Sequence, residues 1–113
     1  MSRRRALLAL PALLALVGGA CGLLPERSLG EQLWRDRCAD CHGIDARGNT
    51  VRFMGNPWAD LTDESWRTAG DPDTVAEVTR TGFVGLMPGS DDLTAEEMAA
   101  LLDWLYYLRG ERQ

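Results

Sequence analysis

The chain has 113 residues and a net charge of −5, with 17 acidic side chains against 12 basic ones, all of them Arg. That length holds one domain at most, and an acidic chain without basic blocks is a poor nucleic-acid binder. One His excludes any centre that needs two imidazoles, and three Cys are too few for a disulfide scaffold.

Residues 1–20 read as a secretory signal, with Arg3, Arg4 and Arg5 ahead of an apolar and small-residue run from Ala6 to Ala20. The run is broken by Pro11 and is short for a bilayer span. Gly19-Ala20-Cys21 resembles a bacterial lipobox, in which the Cys becomes the acylated N-terminus; Gly18-x-Ala20 also fits an ordinary small-x-small cleavage site. Without residues 1–20 the chain keeps 93 residues, with nine Arg against 17 acids, a charge of −8. Residues 21–27 read as a tether, since Pro25 blocks a helix, and 28–113 as the folded domain. The seven steps from Cys21 to Ser28 reach ~25 Å at most.

Ser28-x-x-Glu31 is a capping box that predicts a helix from Leu29 to about Cys38, with Leu29, Leu33 and Trp34 toward one face. Residues 43–60 form a long irregular loop punctuated by Gly43, Gly48, Gly55 and Pro57. Thr62 is the expected cap of a short helix through Trp66, ended by Gly70. Asp71 caps the next, with Pro72 in its first position and Gly82 after its end. Residues 82–90 are a second Gly-rich loop. The last helix has a second capping box, Thr94-x-x-Glu97, flanked by Leu93 and Met98 at the staple positions. Its stripe is Met98, Leu101, Leu102, Leu105 and Leu108, and Arg109-Gly110 is its stop. The expectation is an all-α fold of about four short helices and two long loops. A domain this small buries little surface unaided and leans on a cofactor or staple.

Cys38-Ala39-Asp40-Cys41-His42 is C-x-x-C-H, the attachment pattern for a c-type haem. Two thiols spaced this way meet two vinyl groups, and the adjoining imidazole lies under the iron. A thioredoxin-like pair needs a βαβ context, and a zinc site needs a second Cys/His pair; the sequence has neither.

On these residues the chain resembles a small class I cytochrome c over about residues 28–110. Gly30-x-x-x-Trp34 and Trp104 resemble the family's crossing terminal helices, which meet near the Gly and the aromatic. Asp60-Leu-Thr-Asp-x-x-Trp66, Gly70-Asp71 and Met87-Pro88 are similar to single-haem domains of cytochrome subunits in bacterial haem–copper oxidases. The family's Pro-Asn-Leu segment reads here Pro57-Trp58-Ala59-Asp60-Leu61, two residues longer.

The resemblance implies one covalent haem c wrapped by the helices. With His42 as one axial ligand and no Lys in the chain, the sixth position is left to a Met, to water or to another group, and the Met candidates are Met87, Met54 and Met98. Met98 has a structural role as staple, and Met54 follows His42 by only twelve residues. Met87, in the Gly-rich loop beside Pro88, matches the family's distal ligand. The Pro57 carbonyl is the expected acceptor for the other His42 nitrogen. Trp58, Trp66, Arg52 and Arg80 are propionate candidates, each weighed against packing or a solvated charge. Leu33, Trp34, Phe83, Leu101 and Leu105 are expected to line the haem crevice or the core. Asp91, Asp92, Glu96 and Glu97 read most simply as helix-dipole partners, with docking charges as the alternative.

The function expected is single-electron transfer by an exported protein on the periplasmic side of a bacterial membrane, lipid-anchored through Cys21. Its partners would be redox proteins with basic docking surfaces, including a membrane respiratory complex, with no nucleic acid and no small-molecule substrate. A haem c subunit of a larger oxidoreductase, and a haem enzyme or sensor with a labile distal Met, are the alternatives.

Overall fold

The computed structural model describes residues 24–112. The signal segment 1–20, Cys21 and the start of the tether lie outside the described residues. Among the described residues no helix is long and apolar enough to cross a membrane.

Among the described residues there are five α-helices, α1 (Leu29–Arg37), α2 (Ala39–His42), α3 (Glu64–Ala69), α4 (Pro72–Thr81) and α5 (Ala95–Leu108), with a 3-10 turn at Pro57–Ala59. The expected all-α architecture is present, with one helix more than the four foreseen. The addition is α2, the C-x-x-C-H segment itself. Cys38 ends α1 by donating its N–H to Trp34 O (2.9 Å), and its own carbonyl accepts from Cys41 N (3.2 Å) and His42 N (2.8 Å). Four residues are too few to show a periodicity, so α2 left no pattern to read.

The caps explain where the other helices begin. At α1, Ser28 Oγ accepts from Glu31 N (3.2 Å). The Glu31 carboxylate turns instead to Arg35 Nε (2.9 Å) and Arg27 Nε (3.6 Å). At α3 the expected cap Thr62 is replaced by Asp63, whose carboxylate accepts from Ser65 N (3.0 Å) and Trp66 N (3.3 Å). Thr62 is engaged elsewhere: its N–H (2.8 Å) and hydroxyl (2.6 Å) both donate to Asp60 Oδ1. At α4, Asp71 accepts from Thr74 N (2.9 Å), and Pro72 opens the helix. At α5 the capping box is complete, with Thr94 Oγ1 accepting from Glu97 N (3.2 Å) and Glu97 Oε2 accepting from Thr94 N (2.8 Å).

Helix α5 is the spine of the core. One side joins Trp34, Ala46, Leu101 and Leu105, with Leu33, Leu61 and Leu108 packed on them. The other joins Ala76, Met98, Leu102 and Tyr106, with the staple residue Leu93 against them. Helices α1 and α5 cross at Gly30, where a Cβ would stand 2.1 Å from the Ala100 carbonyl oxygen and 3.0 Å from Trp104 Cβ. The missing side chain is what lets the two backbones touch, as the resemblance implied.

Candidate functional site

Three groups of the C-x-x-C-H segment are brought into register by α2. Cys38 sits at the junction of α1 and α2, and Cys41 and His42 follow one turn later. The two thiols are not bridged to each other. Burial pushes the Cys38 thiol up to about 11, against the opposing charge of Arg37, so it is protonated at neutral pH. Trp34, 2% exposed, supports the segment from below. Its Nε1 donates to Gly43 O (3.0 Å), and its ring centroid lies 6.2 Å from that of His42.

The His42 ring is oriented by the loop that follows it. Nδ1 lies 2.9 Å from Ala59 O. A carbonyl oxygen only accepts, so Nδ1 carries a proton and Nε2 is the nitrogen left to ligate. That fixes the ring in the state an axial ligand needs. The loop reaches this position through Gly48, at φ +71°, whose N–H donates to His42 O (2.7 Å). A Cβ on Gly48 would come within 2.8 Å of the Ala59 carbonyl carbon. Leu61 N donates to the carbonyl of the fully buried Ala46 (2.8 Å), closing the loop from its far end.

The expectation that the Pro57 carbonyl takes this bond is corrected: Ala59 supplies it. The two additional residues are wound into the Pro57–Ala59 turn, capped by Asn56 Oδ1 accepting from Trp58 N (3.0 Å). The turn carries the acceptor two positions along the chain. Pro57 and Trp58 instead line a cleft of about 370 Å³ with Asp63, Ser65 and Trp66. Trp58 is 75% exposed there.

Met87 stands in a closed loop after α4. Phe83 N donates to Met87 O (2.8 Å), and Met87 N donates to Phe83 O (2.9 Å). The turn between them presents Val84 and Leu86 to solvent, while Met87 is half-buried. Met98 is 3% exposed within the core, and Met54 is 74% exposed. Of the two Arg candidates, Arg52 lies over the Phe53 ring, 5.4 Å from its centroid, and Arg80 pairs with Glu77 at 3.8 Å. Phe83 is exposed rather than in the core, whereas Trp34, Leu101 and Leu105 are core residues.

Sequence reasoning missed Ala59 and Gly48, since an alanine carbonyl and one loop glycine among several carry no chemical signature. It also read Asp92 as a helix-dipole partner or a docking charge. Asp92 accepts from Arg37 through both carboxylate oxygens, at 2.6 and 2.7 Å.

These groups fit haem c by their chemistry: two unbridged thiols on one turn, and an imidazole whose second nitrogen is already held by a carbonyl. Residues 25–105 match the family described as cytochrome c oxidase, cbb3-type, subunit III. The chain belongs to this family.

Among relatives of the cbb3-type subunit III family, the chain is 43% identical over 61 residues to the CcoP subunit of a cbb3-type cytochrome c oxidase from Rubrivivax gelatinosus. That alignment covers 54% of this chain and 18% of the relative. The FixP subunit of Azorhizobium caulinodans is 31% identical over 97 residues, covering 85% of this chain and 32% of the relative. The chain therefore spans a minor part of the curated relatives it matches. Among solved structures, the c-type cytochrome KustC0563 superposes with a TM-score of 0.54 at 26% identity, covering 74% of this chain and 98% of that one. The domain is a class I c-type cytochrome, the class whose cofactor is haem c.

Proposed function

We propose that this chain is a single-electron carrier built on one haem c, serving a membrane respiratory complex. Cys38 and Cys41 would hold the haem by thioether bonds, and His42 Nε2 and Met87 Sδ would take the axial positions. When bound, the haem supplies an iron that exchanges one electron between ferric and ferrous states. The observation that carries this reading is the hydrogen bond from His42 Nδ1 to Ala59 O (2.9 Å), which leaves Nε2 as the ligating nitrogen.

The protein's own contribution is orientation and closure. Ala59 fixes the imidazole plane and raises its basicity. The Met87 thioether would be a weak donor to ferric iron and would favour the reduced state relative to a second imidazole. With His42 and Met87 both holding the iron, no position would be left for a substrate, which would suit electron transfer rather than peroxide or oxygen chemistry. The names of the relatives support a place beside a cbb3-type oxidase. The signal-like segment and Cys21 support export to the periplasmic face with a lipid anchor. The charge of −8 over residues 21–113 supports partners with basic docking surfaces.

The test is the visible spectrum of oxidised and reduced holoprotein, with Met87→Ala beside it and intact mass on both. Loss of the Met–iron charge-transfer band in the variant is expected. Retention of the band removes Met87, and carbon monoxide binding to the wild-type ferrous protein favours an enzyme or sensor. Intact mass reports one covalent haem and the acyl chains on Cys21, and a mature N-terminus without lipid removes the anchor.

A further inference from the structure

The segment that carries Met87 is fastened at both ends, and its two fastenings differ in kind. On the N-terminal side it is closed on itself by the Phe83–Met87 pair of backbone bonds. On the C-terminal side Ser90 N donates to Thr79 O (2.9 Å), tying it to the end of α4. Neither fastening touches the helix that carries the Cys–His segment.

That link comes two residues later. Arg37 Nη1 and Nη2 donate to the two oxygens of Asp92 at 2.6 and 2.7 Å, a bidentate fork. Arg37 is the last residue of α1 and directly precedes Cys38. Asp92 lies between Ser90 and the α5 cap Thr94. The pair joins positions 55 apart in sequence, whereas Arg35–Glu31 and Arg80–Glu77 are contacts within one helix. Arg37 also feels the charge of Glu97, the residue that closes the α5 capping box. A guanidinium fork against one carboxylate fixes relative orientation as well as distance, which a single contact does not.

We infer that the Arg37–Asp92 pair is a positioning clamp that holds the Met87 loop in register with the Cys38–His42 segment. The inference rests on the axial assignment of Met87 above. The clamp touches neither His42 nor Met87; it acts through the loop, by restricting how far the segment that carries Met87 swings away from the Cys38–His42 segment. Because both side chains reach solvent, the effect is modest and screened by salt.

The experiment uses the holoprotein with Asp92→Asn, which keeps the side-chain shape and removes the charge. Stopped-flow displacement of the ferric distal ligand by imidazole is measured, together with the reduction potential and the thermal midpoint. The expected result is displacement about two- to five-fold faster than wild type at low salt, converging on wild type at ~1 M salt. The charge-swapped double variant Arg37→Asp/Asp92→Arg is expected to recover most of the wild-type rate. A lowered thermal midpoint with unchanged displacement overturns the clamp, since it marks a pair that only braces α1 against α5. Met87→Ala separates the two readings. If it loses the Met–iron band while Asp92→Asn exchanges at the wild-type rate, the clamp alone fails. If it keeps the band, the axial assignment fails and the clamp with it.

Discussion

The carbonyl oxygen of Ala59 lies 2.9 Å from Nδ1 of His42, across seventeen residues of loop. Gly48 makes that approach possible, since a Cβ there would stand 2.8 Å from the Ala59 carbonyl carbon. Gly48→Ala therefore meets two penalties. The backbone at φ +71° is one that L-residues avoid, at a cost of roughly 1–2 kcal/mol, and the new methyl displaces Ala59. The expected outcome is a less stable holoprotein whose reduction potential rises, because an imidazole without its carbonyl partner donates less to ferric iron. A redox titration of the variant against wild type checks it; an unchanged potential would show that the Ala59 bond survives the substitution.

Gly30 makes a second prediction in which two effects oppose each other. Alanine is the better helix former by about 1 kcal/mol, so an exposed glycine in α1 would gain from replacement. Here the added Cβ would stand 2.1 Å from the Ala100 carbonyl oxygen, a backbone atom of α5 that has no rotamer to move. Overpacking of this kind costs about 1–3 kcal/mol or more, so the clash outweighs the propensity. Gly30→Ala is expected to lower the thermal midpoint, by about 4–8 °C for each net kcal/mol. Circular dichroism melting of the two proteins decides it, and a raised midpoint would mean that α1 and α5 separate at little cost.

The helices with caps and stripes were legible because each signal is local: Asp71-Pro72 and Thr94-x-x-Glu97 mark their own starts, and the α5 stripe marks its buried face. The Cys38–His42 pattern was legible because its chemistry demands that spacing. Thr62 misled because two acceptors compete at adjacent positions, and Asp60 draws off the Thr62 hydroxyl before it can cap α3. Ala59 and the Arg37–Asp92 pair were not legible, since each depends on where distant segments come to rest. The acceptor for His42 is decided by the Pro57–Ala59 turn, and no residue type in that turn announces it.

The surface carboxylates give the pH dependence. The Ser65 hydroxyl and the α3 amides hold Asp63 below the ordinary aspartate value; the Thr74 amide and hydroxyl do so for Asp71, and the Arg37 guanidinium for Asp92. The folded values thus lie below the unfolded one, about 3.9. Such groups add stability fully above the unfolded value, and it is lost as pH falls through the folded values. Asp71→Asn removes the charged cap but leaves an amide oxygen that still caps α4. The variant is expected to be slightly less stable at pH 7, with the difference shrinking toward zero below about pH 4. Urea unfolding at a series of pH values measures this, and a difference independent of pH would exclude the Asp71 charge as its source.

Tyr106 supplies a prediction of the opposite sign. Its ring packs with Ala76, Met98 and Leu102, yet its buried hydroxyl has no hydrogen-bond partner among the described residues. An unsatisfied buried hydroxyl costs about 1–3 kcal/mol of lost hydration. The ring itself contributes, through apolar contact and through the Arg109 and Arg112 guanidinium groups at 5.5 and 5.6 Å from its centroid. Tyr106→Phe keeps the ring and both cations and deletes only the orphaned group. It is expected to raise stability by about 1 kcal/mol, whereas Tyr106→Ala, which empties the site, should lose about 3–5 kcal/mol. Equilibrium urea unfolding of the three proteins tests the pair. A loss of stability in Tyr106→Phe comparable to that of a broken hydrogen bond would show that the hydroxyl has a partner after all.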